Sequence, residues 1–396
     1  METNELKIGL FGPWLFQLAV GLREVGVNDV SLFVDEKEGL LSTALRDAPE
    51  LNDSDFVLID RWLSRSALLH PKRSSLTKML REFDVLILSY LSPVFGPYTG
   101  APYIFFPTGH DLTGVPFPIR SRVQRPRGLQ DLSAPILAYR QRKGIRRASA
   151  ISVRLFKPLA DALSDIGKIS SELIYIPLAH DDDLFSPVDL DVKKDDDSET
   201  LKIFSPSRLM MSGDRNSVRS GNTKHSGKFL KGFSQAVKNG LDAELFLVEQ
   251  KFSPDKKAAR QLVDEMKIGD NVSWKSSIGK YGFSWKELSS IYQSSDVVAD
   301  DFGGFGWYGG VAIEGLLSGL PVMSSINEEV LGRYCENSPF INVLTPDEIE
   351  EAMFVLADKE YRQKVGDFSR KWAVENHGRK TVAKRFLKQL SEFSII

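Results

Sequence analysis

The stretch "GWYGGVAIEGLLSGLPV", residues 306–322, decides how the chain is read. Its second half sets Ile313, Leu316, Leu317 and Leu320 at i, i+3, i+4 and i+7, one apolar face of a helix. Gly319 and Pro321 end that helix, and "PVMSS" starts a strand. The first half places glycines and two large aromatics, Trp307 and Tyr308, directly before the helix, with Glu314 in its early turns. Gly309 and Gly310 would let phosphate oxygens approach backbone N–H groups at a helix start. Glu314, one turn later, could accept two hydrogen bonds from a ribose diol. A tight strand-to-helix turn with a partly exposed Glu reads the same residues without a ligand.

Outward from this stretch the pattern alternates. "DVVADDF" precedes it as a strand, and "SWKELSSIYQSS" before that is helical. "LKIFSPSR", "AELFLVEQ" and "NVSWKS" are further strands, separated by the helix "KFLKGFSQAVKNG" and a helix near 254–267. The first half of the chain repeats the architecture without repeating the sequence. "LKIGLFG", "DVSLFVDE", "DFVLIDR", "DVLILSY", "PYIFFPTG" and "SAISV" read as short buried strands. Pro13 suits the first turn and Gly26 the end of the helix after the first of them. Apolar runs alternating with helices imply parallel sheets covered on both faces. "DLDVKKDDDSET" is polar and reads as a linker, and the chain is helical after 346. Two Rossmann-like units joined by a linker would leave a cleft, with ligands at the carboxyl ends of the strands.

The bulk properties narrow the function. A chain of 396 residues suggests two domains. A net charge of −2 argues against a nucleic-acid partner by bulk electrostatics. Cys335 is the single cysteine, which fits a reducing compartment. The start "METNELKIGLF" lacks a signal-peptide core, and no run approaches the ~20 apolar residues of a membrane helix. The expected location is cytoplasmic, with peripheral attachment to the cytoplasmic membrane face left open.

Several residue groups are candidates for chemistry. A dinucleotide fingerprint is incomplete: only Gly9 and Gly12 follow the pattern, Pro13 comes next, and Asp35 and Glu36 end the second strand. Arg208 stands at the carboxyl end of a strand and Lys224 just before the next helix, an arrangement that suits a diphosphate. Solvated loop charges are the alternative. "HDDDLF" contains a D-x-D of Asp181 and Asp183, but in a predicted linker such acids cap turns, and no catalytic metal is expected. "TGHD" ends a strand with His110 and Asp111, read either as a polar pair at the cleft or as a helix cap. Arg120, Arg122, Arg125 and Arg127 open a basic segment, read as a solvated face or as a patch for an anionic acceptor or anionic lipid.

Three pieces together resemble the retaining glycosyltransferases of the GT-B fold, family 4-like or group 1, which include bacterial mannosyltransferases and sucrose synthases. "IYIPLAHDDDLFSP" (174–187) is similar to the family's interdomain segment. "SPSRL" with "KHSGKFLKGF" looks like its Arg and Lys pair, here Arg208 and Lys224, and residues 306–322 look like its carboxylate-bearing helix, with Glu314 as the ribose ligand. The resemblance is good over roughly 172–345 and architectural elsewhere. It implies an α/β GT-B fold, two Rossmann-like domains facing each other across a cleft. Residues 1–180 would bind the acceptor, 181–200 link, 201–372 bind the nucleotide sugar, and 373–396 cross back. It also implies transfer of a sugar, with retention and without a metal or other cofactor, from a UDP- or GDP-sugar to a glycan, lipid-linked or small-molecule hydroxyl. His110, Arg208 and Lys224 are the expected catalytic residues. Gly12, Gly306, Trp307, Tyr308, Gly309, Gly310 and Glu314 are expected donor contacts. The sequence departs from the family at Gly306, where another Glu is usual, so Asp300 and Asp301 become candidate sugar contacts. A nucleotide-sugar epimerase or hydrolase, and a non-catalytic binding subunit, stay open as alternatives.

Overall fold

The computed structural model describes residues 5–36, 55–117, 133–154, 157–187, 199–211, 224–249, 253, 255–276, 283–303 and 307–395. By contact density the chain divides into two compact units. One contains Met1–Ala179 and Arg379–Ile396; the other contains His180–Val218 and Asn222–Gly378. The predicted segment 181–200 thus falls within the second unit, and the division after the long helix Lys359–His377 falls at Gly378.

Among its described residues the first unit holds a parallel sheet in the order β3-β2-β1-β4-β5-β6-β7. These strands are β1 (Lys7–Phe11), β2 (Asp29–Asp35), β3 (Val57–Asp60), β4 (Val85–Ser89), β5 (Tyr103–Phe106), β6 (Ala150–Ser152) and β7 (Glu172–Ile174). The runs "VLILS" and "YIFF" are buried along their whole length, as parallel strands covered on both faces must be. Phe11, Phe33, Leu86, Leu88, Phe105 and Ile151 form the middle of the core. The closing helix Arg379–Glu392 packs against the helix Phe16–Glu24. Arg379 Nε donates to both carboxylate oxygens of Glu24 at 3.0 Å. Gly21 admits this contact, because a Cβ there would strike the Arg379 carbonyl.

The second unit holds a parallel sheet in the order β10-β9-β8-β11-β12-β13. Its strands are β8 (Leu201–Ser205), β9 (Ala243–Val248), β10 (Val272–Lys275), β11 (Val297–Ala299), β12 (Val322–Ser324) and β13 (Ile341–Asn342). Phe229 and Phe233 of the helix Ser226–Lys238 bury against Ile203, Leu245, Ile349 and Met353. In both sheets the chain runs outward in one direction, then returns to the centre and runs outward in the other. The reversal lies between β1 and β4 in the first unit and between β8 and β11 in the second. The carboxyl ends of strands at such a reversal open a crevice for ligands.

Candidate functional site

At the reversal of the second sheet, Val297 and Val298 pair with Ile203 and Phe204. This register carries Asp300 and Asp301, just past β11, to the same sheet end as Ser207 and Arg208, just past β8. Phe302 is buried and stacks on Phe229 at 5.1 Å, which fixes the turn after the two acids. Lys224 enters from the segment before the helix Ser226–Lys238. Its Nζ lies 3.1 Å from Asp300 Oδ1 and 3.0 Å from Asp301 Oδ2. The Ser207 hydroxyl donates to Asp300 Oδ1 as well. Asp300 Oδ2 is buried and has no hydrogen-bond partner among the described residues.

Two carboxylates around one ammonium alter the expected role of Lys224. Burial alone would lower its pKa; Asp300 and Asp301 outweigh that and raise it, so it stays cationic. Asp301 moves upward because of burial, opposed by Lys224. The Lys224 ammonium is thus held between two acids rather than left as a spare cation. Arg208 is exposed and makes no ion pair among the described residues.

The helix Gly310–Leu317 begins beside this cluster in sequence, and the structure reveals what the glycine pair does. Neither Gly309 nor Gly310 has a positive φ, so the backbone does not require glycine. A Cβ at Gly309 would meet nothing within 4 Å, and one at Gly310 would meet His180 Cε1 at 3.4 Å. The pair therefore leaves room in front of a helix start whose first N–H groups lack intrahelical acceptors. Glu314 is buried in the next turn, and its Oε2 accepts the Tyr292 hydroxyl at 2.9 Å. Tyr292, on the helix Trp285–Gln293, is itself fixed edge-on against Phe204 and Phe185. Burial raises the Glu314 pKa to about 8 against the opposing effect of the Tyr292 bond. In the ligand-free state this group is mostly the neutral acid at pH 7.

Trp307 and Tyr308 are buried. Their rings stack at 5.0 Å, Tyr308 packs on Phe340 and Trp372, and its hydroxyl meets His377 Nε2 at 2.8 Å. They anchor the loop before the helix in an aromatic core, and the structure brings neither ring to the surface. Gly306 lies outside the described residues, as do Arg120, Arg122, Arg125 and Arg127. Asp181 Oδ1 accepts the N–H groups of Asp183 and Leu184, the turn-capping arrangement expected of such an acid.

In the first unit, Gly12 ends β1 with a φ of 117°, in the region that favours glycine. A Cβ there would collide with the Ser89 hydroxyl, which donates to the Phe11 carbonyl at 2.6 Å. Asp111 is fully buried and accepts N–H bonds from Thr108, Gly109 and Tyr90. It ties the ends of β4 and β5 together, and burial raises its pKa to about 6 despite those bonds. His110 is exposed at the start of the same turn, its ring lying on Gly114, and partial burial lowers its pKa.

Three further residues belong to the second-unit cluster and are given no role by the sequence: Ser207, Tyr292 and His180. Each is placed by a strand or helix neighbour far away in sequence. Ser207 had a sequence cue in its place in "SPSRL" at a strand end, and His180 in its place in the segment 174–187.

No protein-family model matches the chain, and no curated protein sequence matches it. Solved structures do. A sucrose-phosphate synthase from Thermosynechococcus elongatus superposes on 98% of this chain and 99% of its own, at 15% identity and a TM-score of 0.63. HepE of Anabaena, solved in complex with UDP-glucose, superposes on 98% of this chain and 100% of its own, at 15% identity and a TM-score of 0.63. A glycosyltransferase from Rickettsia africae is similar over 98% of this chain and 99% of its own, at 13% identity and a TM-score of 0.65. At such identities the likeness speaks for architecture, and two parallel Rossmann-like sheets in one chain, matched end to end by glycosyltransferases, establish that this protein has the GT-B fold.

Proposed function

We propose that the protein is a glycosyltransferase that moves a sugar from a nucleoside-diphosphate sugar to a hydroxyl acceptor. One observation carries this reading. At the sheet reversal of the second unit, the buried carboxylate of Glu314 stands one turn inside a helix whose two leading glycines leave open room. That combination suits a ribose diol beside a diphosphate. HepE was solved with UDP-glucose, so a UDP-sugar is the first donor to test here, and a GDP-sugar the second.

The charges assign the rest. The helix start and Arg208 would hold the diphosphate and stabilise the charge that develops as it leaves. Ser207 and Lys224 occupy Asp300 Oδ1, which leaves Oδ2 for a hydroxyl of the donor sugar. This takes the place of the acid that the related enzymes carry where Gly306 stands. In the transfer, the bond between the anomeric carbon and the phosphate oxygen breaks and the acceptor oxygen bonds that carbon. The acceptor proton passes to the departing phosphate. Retention is what the resemblance to the retaining glycosyltransferases implies, and with no nucleophile pair singled out among the described residues, attack on the face of the leaving group is the mechanism we assign. Acceptor recognition is assigned to the first unit, where His110 is exposed beside the Asp111-pinned turn.

The test is product analysis with UDP-glucose, UDP-N-acetylglucosamine and GDP-mannose in the presence of saccharide and lipid-linked acceptors. The proposal expects nucleoside diphosphate release that depends on acceptor, and a product with the donor's anomeric configuration. Release without acceptor dependence would point to a hydrolase or epimerase. Binding of the donor without any turnover would point to a non-catalytic subunit.

A further inference from the structure

His180 lies within the segment 174–187, between its Ile-Pro and Phe-x-Pro parts, and has no role in the reading above. It is 6% exposed, and its Nε2 has no hydrogen-bond partner among the described residues. Buried polar atoms are normally paired, so a lone ring nitrogen held in place asks for a cause. Its position gives one. The Nε2 atom lies 3.7 Å from where a Cβ on Gly310 would stand, and Glu314 Oε1 lies 3.9 Å from the same point. The imidazole and the carboxylate thus flank the first residue of the helix Gly310–Leu317, on the side that the glycine leaves open.

The segment carrying His180 is fastened to the same unit at several points. The His180 N–H donates to the His377 carbonyl at 2.9 Å. Arg370 donates to the carbonyls of Asp182, Phe185 and Leu317, joining the segment to the far end of that helix. Ser289 and Gln293 donate to the carbonyls of Leu184 and Ser186. A buried ring on a backbone held this firmly loses little freedom on meeting a ligand, which favours a binding role.

We propose that His180 is a ligand-binding residue of this site, donating its Nε2–H to an oxygen of the phosphate nearest the ribose. The inference rests on the nucleotide-sugar reading of the site. A neutral imidazole suits the task, since it adds a directed donor without adding a fixed charge beside Glu314. Burial lowers the ring's pKa to about 4, so the uncharged form is the one present at pH 7. The glycine at 310 then serves two ends: it bares the helix start and keeps the path to His180 clear.

The test measures binding of UDP, UMP and uridine, with the guanosine series in parallel, to the wild-type protein and to His180→Phe and His180→Gln. Phe keeps the volume and removes the donor; Gln keeps a donor. The inference expects Phe to weaken both UDP and UMP by about tenfold or more, as loss of a hydrogen bond to a charged group does, while uridine changes little. Gln should recover part of the loss. Equal loss for uridine and UDP would overturn it, because the ring would then be propping the nucleoside pocket. Unchanged UDP binding in both variants would overturn it alone and spare the nucleotide reading. If no nucleotide of either series binds the wild-type protein, the reading and this inference fall together.

Discussion

At the scale of single residues, burial sets the chemistry of Glu314. Its folded-state pKa of about 8 stands above the ordinary 4.5. Between these values the unfolded chain is ionised while the folded chain keeps its proton, so the folded state binds more protons. Stability then falls as pH rises across that window, and the contribution is fully present only below the lower value. Glu314→Gln removes the titration. The stability of the wild type relative to this variant should therefore decline between pH 5 and pH 8, as urea unfolding at the two pH values would reveal. A difference that stays constant would mean that Glu314 ionises as readily folded as unfolded. The same carboxylate should bind a ribose diol best when ionised, so ribonucleotide affinity should rise as pH passes upward through about 8. A 2′,3′-dideoxynucleotide should lack that rise.

At the scale of elements, the strand and helix pattern was legible and its side-chain pairings were not. The restart of the α/β pattern after residue 200, the strand "DVVADDF" and the helix bearing Glu314 all followed from periodicity and from Gly and Pro punctuation. Lys224 was readable as a cation near a helix start. Its capture by Asp300 and Asp301 was not, because that contact spans 76 residues and depends on β8 lying beside β11. Trp307 and Tyr308, in a glycine-rich loop, read as donor contacts; their packing against Phe340, Trp372 and His377 joins residues far away in sequence and had no signal there. His180 stood inside the quoted segment 174–187, but nothing in that pattern gave the histidine itself a role. Two element-level outcomes follow from the packing. Gly310→Ala places its methyl in ordinary contact with His180, at a φ that alanine accepts. It should hold or raise stability, by up to about 1 kcal/mol, while weakening UDP binding. Raised melting temperature with undiminished UDP affinity would mean that the open space has no ligand. Arg370→Ala strands the carbonyls of Asp182, Phe185 and Leu317. These bonds are part-buried, so water reaches some of the freed carbonyls, and a loss of about 1–3 kcal/mol is expected in chemical unfolding. A change under 1 kcal/mol would mean that water replaces the guanidinium without cost.

At the scale of the whole molecule, each unit has its own sheet reversal, and each reversal gathers polar side chains at strand ends. In the first unit these are Ser89 behind Gly12 and Asp111 across β4 and β5; in the second they are Asp300, Lys224 and Ser207. A GT-B architecture matched at 13–15% identity leaves the donor and acceptor to be argued from such side chains. The central claim is that the second unit binds a nucleoside diphosphate through Arg208, Glu314 and the start of the helix Gly310–Leu317. Isothermal titration of UDP, GDP and ADP onto the wild-type protein and onto Arg208→Ala/Glu314→Gln tests it directly. The account predicts that UDP or GDP binds the wild type, and that the double variant weakens this by at least about 2 kcal/mol, a charge-assisted contact at Arg208 and a hydrogen-bonding one at Glu314 together. Failure of all three nucleotides to bind the wild type, or equal affinity for both proteins, would contradict it.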